Sequence, residues 1–148
     1  MSAPPDAAAQ QRAERAAAAL FRRDRASQAL GMSVAAVGPG RAEVHMRVRE
    51  DMLNGHGVCH GGFVFALADS AFAFACNSYN ESTLAAAAQI DFLRAVPAGT
   101  ELIAAAHELW RGGRSGLYEI EVRTAGGERV ALFRGRSHRV AGSLTDEG

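Results

Sequence analysis

Asn54-Gly55-His56-Gly57-Val58-Cys59-His60-Gly61-Gly62, followed directly by the apolar run Phe63 to Tyr79, organises the reading of this chain. Four glycines in nine residues break any regular element, and the run behind them carries one charge, Asp69. Seventeen residues are too many for one strand, and apolar side chains on every face describe a buried central helix. Upstream, Ala42, Val44, Met46 and Val48 alternate with Arg41, Glu43, His45, Arg47 and Arg49, the period of a half-buried strand. With Met32 to Val37 and the turn Gly38-Pro39-Gly40 it forms a hairpin. Downstream, four extended segments follow, at 84–94, 100–110, 115–124 and 128–140, separated by Pro97-Ala98-Gly99, Gly112-Gly113 and Gly126-Gly127. Strands, one buried helix and more strands on short turns predict an α+β fold, a single antiparallel sheet packed on one helix.

The ends of the chain read differently. Residues 1–31 are expected to be a tail, Met1 to Asp6, and an appended alanine-rich helix, Ala7 to Leu30, stopping near Gly31. Residues 32–141 form the main domain, and 142–148 a disordered tail.

Composition narrows the function. At 148 residues the chain is one domain, so any site must fit on that domain or between copies of it. Sixteen basic residues balance sixteen acidic ones, leaving no positive field to gather nucleic acid or an anionic membrane. All sixteen basic residues are arginine, which removes Schiff-base chemistry and the phosphate-loop lysine. Two cysteines, Cys59 and Cys76, are too few for a disulfide scaffold, and no apolar run is long enough to span a bilayer. A soluble, cytoplasmic protein is the expectation.

Asp69 is the first candidate for chemistry. A lone carboxylate in an apolar helix costs several kcal/mol to bury, and its helical neighbours offer no cation. It is solvated in a pocket, paired across an interface, or satisfied by backbone or hydroxyl donors such as Ser70 or a neighbouring strand. Gly61 and Gly62 stand where the helix begins, and a helix start leaves backbone N–H groups unpaired with positive charge behind them. Glycine lets a ligand approach that backbone, which is what an oxyanion hole for acyl transfer requires. Gly61 and Asp69 are eight residues apart, about 12 Å along a helix axis, so one carbonyl cannot touch both on one helix. If they serve one reaction, they come from two subunits related by a two-fold, and an obligate dimer is predicted.

Other readings of the loop are weaker. Gly55-x-Gly57 lacks the third glycine and the βαβ context of a dinucleotide fingerprint. His56, Cys59 and His60 lack the helix and the further ligand that zinc would need, so no metal is expected. His60 is expected to pin the loop or the helix start, and Asn54 either orients a water or caps the turn. On the last strand Arg134, Arg136 and His138 share a face, and Arg111 and Arg114 bracket the Gly112-Gly113 turn, a set suited to phosphates or to a solvated surface.

Asn54 to Gly62, the pair Ala68-Asp69, Gln89-Ile90-Asp91-Phe92-Leu93-Arg94 and the closing segment Ala131 to Arg139 together resemble the hotdog-fold acyl-CoA thioesterases, in particular their phenylacetate-degradation branch. The similarity runs from about residue 30 to residue 141. It implies a central helix wrapped by a curved antiparallel sheet, a dimer with a continuous sheet, and two such dimers as a homotetramer. It implies hydrolysis of acyl-CoA, with Asp69 as the acidic residue, Gly61 as the oxyanion amide, Asn54 as the polar residue ahead of the loop and His60 beside the amide. It nominates Arg111, Arg114, Arg136 and His138 for the nucleotide end of coenzyme A. Coenzyme A is then part of the substrate, and no cofactor is implied. Where relatives carry a Ser or Thr on the strand after the helix, this chain has an alanine near Ala87. The rivals are a hydroxyacyl dehydratase on the same fold, whose loop carries a bulky residue and Pro after His, and a non-catalytic acyl-CoA binder.

Overall fold

The computed structural model of the chain describes residues 6–146. The expected tail lies outside them apart from Asp6, which caps the first helix by accepting from the Ala8 N–H at 3.0 Å.

The alanine-rich start is two helices, α1 (Ala7–Arg23) and α2 (Arg25–Ala29), and not the single helix expected to Leu30. Asp24 makes the break. Its backbone leaves the helical region, and its carboxylate caps α2 through the Ser27 N–H at 3.0 Å. Strands β1 (Ser33–Gly38) and β2 (Arg41–Arg47) form the expected hairpin. A single 3-10 turn at Glu50–Met52 leads into the glycine loop. Helix α3 (Gly61–Cys76) follows, then β3 (Thr83–Phe92), β4 (Glu101–Gly112), β5 (Ser115–Thr124) and β6 (Arg129–Arg139).

The six strands make one antiparallel sheet in the order β1-β2-β4-β5-β6-β3. Its inner face closes on α3. Val44, Met46, Leu102, Ala104, Ile120, Val122 and Phe133 are all buried against Val64, Leu67, Ala68, Ala71, Phe72 and Phe74. Each large side chain buried this way contributes about 1.5–3 kcal/mol. Gly135 on β6 is part of the fit: a β-carbon there would stand 2.6 Å from the Phe72 ring, which packs against Tyr118 and Phe133 at centroid distances of 5.5 and 5.9 Å.

Two surfaces of this core stay open. Gly62, Ala66, Asp69 and Ala73, at helical spacings of three and four, form a stripe of α3 that the protomer does not fully bury, where the sequence suggested a helix covered on all sides. Edge strand β3 is also bare: Leu84 is 62% and Phe92 55% exposed, and Leu93 beyond its end 52%. At the other edge α1 packs against β1, with the Gln10 side chain donating to Val37 O at 2.7 Å.

Helix α3 ends three residues short of Tyr79 because the Asn77 carboxamide ties the end to β3, donating to Ala73 O at 2.8 Å and Thr83 O at 3.0 Å. Of the tail expected to be disordered at 142–148, residues 142–146 are instead held, and 147–148 lie outside the described residues. Asn80 Oδ1 accepts from the N–H groups of Leu144 at 3.1 Å and Thr145 at 3.0 Å, and Arg23 donates to Leu144 O at 2.8 Å. Among the described residues, no helix is long and apolar enough to cross a membrane.

Candidate active site

The glycine loop is closed by its own hydrogen bonds. Asn54 accepts through Oδ1 from the N–H groups of His56 at 2.9 Å and Val58 at 3.3 Å, while its own N–H donates to Val58 O at 2.8 Å. The Asn54 side-chain oxygen therefore caps the turn, and its amide Nδ2 keeps its donors. Gly57 turns with φ of +77°, a conformation that suits glycine. At the loop's base Cys59 N–H donates to Val96 O and His60 N–H to Met52 O, each at 2.8 Å. Cys59 is buried and His56 exposed, and among the described residues no group of three or more His, Cys, Asp or Glu side chains is placed to hold a metal ion.

His60 is the N-cap of α3. Its Nδ1 accepts from the Gly62 N–H at 2.9 Å, which puts the ring proton on Nε2, and its carbonyl accepts from the Phe63 N–H at 2.9 Å. Of the first three N–H groups of α3 two are thus committed, and that of Gly61 has no protein partner among the described residues. Gly61 borders a cavity of about 320 Å³ lined also by Cys59, Val64, Phe92, Arg94 and Val96. The Phe92 ring lies 3.1 Å from where a Gly61 β-carbon would stand, so a side chain here would fill the approach to the amide. A helix start with a free, dipole-backed N–H at a cavity can hold a carbonyl oxygen that is gaining charge.

Asp69 lies two turns along the same helix, half-buried on the open stripe, with no hydrogen-bond or ion-pair partner among the described residues. Ser70, the neighbour that could have satisfied it, bonds instead to Ser27 at 2.8 Å. Burial of the carboxyl, and then the negative charge of Asp24, push its pKa above the ordinary carboxylate value. The result is a carboxylate that binds a proton more readily than usual and is open on one side. The stretch Ala85–Ala88 on β3 supplies no hydroxyl, in keeping with the alanine noted near Ala87.

The four nominated cations fall into two groups. Arg111 and Arg114 line one cavity of about 230 Å³ on the inner side of the sheet, with Cys76, Tyr118 and Ser137. Arg111 lies over the Tyr79 ring at 3.5 Å, and Arg114 has no ion-pair partner among the described residues. Arg136 and His138 point to the opposite, outer face, as the burial of Gly135 before them and Ser137 between them requires. Arg139 joins the first pair, tied to Glu81 at 3.0 Å. The same two-residue period could have found it, since it follows inward-facing Ser137 by two.

Residues 56–131 match the thioesterase superfamily. The chain belongs to that superfamily. It is 46% identical over 129 residues to the acyl-coenzyme A thioesterase PaaI of Escherichia coli K12, covering 87% of this chain and 92% of that protein. The solved structure of the E. coli PaaI protein from the phenylacetic acid degradation operon superposes with a TM-score of 0.89 at 44% identity, over 90% of this chain and 97% of that one. A variant of the phenylacetic acid degradation protein PaaI from Thermus thermophilus superposes with a TM-score of 0.74 at 41% identity, over 77% and 97% of the two chains. The fold of this thioesterase superfamily member is thus the hotdog arrangement implied by its motifs, a helix wrapped by a sheet.

Proposed function

We propose that this protein hydrolyses acyl-CoA thioesters, aryl-acetyl-CoA or hydroxylated phenylacetyl-CoA intermediates of phenylacetate catabolism in particular, to the free acid and coenzyme A. The observation that carries the reading is the pairing of an uncommitted Gly61 N–H at a cavity with an unpartnered, proton-avid Asp69 on one helix. The relationship to E. coli PaaI supports the substrate class.

The two groups sit about 12 Å apart on their own helix, so one site takes Gly61 from one protomer and Asp69 of the partner subunit. Bare strand β3 and the open stripe of α3 support this assembly. An exposed edge with apolar side chains invites strand pairing, which would extend the sheet across a two-fold and bring the two helices together. A homodimer is the catalytic unit, with a homotetramer as the pair of dimers, in the cytoplasm.

In the reaction the thioester carbonyl accepts from the Gly61 N–H, which draws charge onto oxygen. Asp69 of the partner subunit takes a proton from a water molecule whose oxygen attacks the carbonyl carbon. The tetrahedral oxyanion collapses, the carbon–sulfur bond breaks, and coenzyme A leaves as a thiolate. Arg111 and Arg114, with Arg136 and His138 on the other face as the second candidate pair, hold the phosphates at the nucleotide end. No metal or redox cofactor enters these steps.

The test follows thiol release across aromatic, short aliphatic and long aliphatic acyl-CoA esters, with wild type beside Asp69→Asn. Fast hydrolysis of an aryl-acetyl ester that falls about 100-fold or more in an assembled Asp69→Asn protein is expected. Equal, slow release by both would overturn the reading and favour a binder or a dehydratase. In single turnover in labelled water, label belongs in the product acid. Label in Asp69 would instead require direct attack by the carboxylate.

A further inference from the structure

One group of polar side chains on α3 reaches away from the cavity and into the N-terminal appendage. Ser70, next to Asp69, stands 2.8 Å from Ser27 Oγ, and Ser27 Oγ stands 2.6 Å from Asp24 Oδ2. A carboxylate can only accept, so the one proton of Ser27 goes to Asp24. Ser27 can then only accept from Ser70, and the chain runs one way, from Ser70 to Ser27 to Asp24. Ser27 is 2% exposed, so no water competes for its place. Asp24 also accepts from the Ser27 N–H, and one helical turn earlier Phe21 packs against Phe74 of α3 at a centroid distance of 6.2 Å. The residue that breaks the first helix is therefore the one that anchors the appendage to the helix carrying Asp69.

Asp24 is also the charge that bears on Asp69. Along α3 itself the ionisable neighbour is the Cys76 thiol, which burial pushes up to about 12 and so keeps neutral. The strands facing α3 present apolar side chains, Val44, Leu102, Ala104, Ile120, Ile90 and Phe133 among them. Of the ionisable groups on β4 and β5, Glu108, Tyr118 and Arg111 gather toward Cys76, where Glu108 accepts from the hydroxyls of Tyr79 and Tyr118, both at 3.0 Å, and Arg111 covers Tyr79, while His107, Glu119, Glu121 and Arg123 lie on the outer face in ion pairs.

We propose that Asp24 and Ser27 are positioning residues for hydrolysis: they lock the Ser70 hydroxyl and the helical turn that carries Asp69, and set a second negative charge behind that carboxylate. With its proton committed to Ser27, Ser70 cannot donate to Asp69, whose oxygens stay available to water. Without Ser27, the Ser70 hydroxyl is free to turn back onto its own helix. The like charge of Asp24 makes Asp69 hold a proton more strongly, which is what a general base needs. This rests on Asp69 being the base.

The test measures kcat, KM and the pH dependence of kcat/KM for full-length Asp24→Asn, Asp24→Glu, Ser27→Ala and Asp69→Asn, each checked for assembly. In Asp24→Asn the acid limb moves to lower pH and kcat falls by about threefold or more with KM within about twofold, and Asp24→Glu restores the limb. In Ser27→Ala, which cuts the chain and keeps the charge, kcat falls by about threefold with the limb unmoved. An acid limb at the wild-type pH in Asp24→Asn, or one that Asp24→Glu leaves displaced, would overturn the proposal. Should Asp24→Asn fail to assemble, an unchanged kcat in Ser27→Ala would overturn it. An inactive Asp69→Asn beside Asp24 and Ser27 variants that match wild type would refute this role alone, whereas a fully active Asp69→Asn would refute both it and the assignment of the base.

Discussion

Replacing Gly61 by proline separates the chemistry of the helix start from its stability. Position 61 is the first residue of α3, where proline is favoured because its missing N–H would have no helical partner. The residue before it already has the extended backbone that proline demands, with His60 at φ −60° and ψ 132°. The new ring meets Phe92 at about the 3.1 Å of the β-carbon position, and Phe92 is 55% exposed and can give. The gain from a stiffer unfolded chain, about 0.4–1 kcal/mol, offsets that shift, so net stability changes by less than about 1 kcal/mol. The Gly61 N–H, however, is gone, with ring carbon in its place. Loss of one oxyanion donor costs about 2.7–4 kcal/mol in the transition state, a fall of about 100- to 1,000-fold in kcat. Thiol release from the best aryl-acetyl-CoA ester, beside a thermal melt, reads both quantities. A Gly61→Pro protein that keeps more than about a tenth of wild-type kcat/KM would refute the assignment of this amide.

Asp69→Asn should be more stable than wild type at neutral pH. The folded-state pKa of Asp69 is raised, so its contribution to stability is fully present below the unfolded carboxylate value and is lost as pH rises through the folded one; the gain should shrink on acidification, as melts between pH 4 and pH 7 would report. Gly135→Ala should lose about 1–3 kcal/mol in denaturant titration, because its methyl would stand 2.6 Å from a Phe72 ring that is 1% exposed and has nowhere to go.

Much of this was legible from residues alone, for reasons that can be named. The alternation of Tyr118, Ile120 and Val122 with Glu119, Glu121 and Arg123 marks β5 because one face is buried and the other is not. Asp69 stood out because nothing else in its segment is charged, and His60 and Asn54 turned out to serve the helix start and the turn, two of the roles their positions allow. The break at Asp24 was hidden: Asp in a polar, alanine-rich run reads as helix surface, and only the buried contact of Ser27 with Ser70 makes a cap worth more than one further turn. Strand β3 is less legible: its apolar side chains Leu84 and Phe92 are exposed in the protomer, because an apolar run marks an extended segment without saying whether its own chain covers it. The arginines obeyed the two-residue period, but parity gives a shared face without saying which face it is. That is why Arg136 and His138 separate from Arg111 and Arg114, and why Arg139 went unseen.

The central claim is that one site is built from two chains, and mixing two inactive variants tests it most directly. A protomer carrying Gly61→Pro retains Asp69, and one carrying Asp69→Asn retains Gly61. In their heterodimer one site is doubly disabled, and the other joins an intact Gly61 to an intact Asp69. Random reassortment makes half of the dimers mixed, so about a quarter of wild-type activity should return when the two proteins are unfolded together and refolded, with none returning when they are refolded apart. Activity that stays at the sum of the two inactive proteins, in a mixture shown to contain heterodimers, would contradict the shared site.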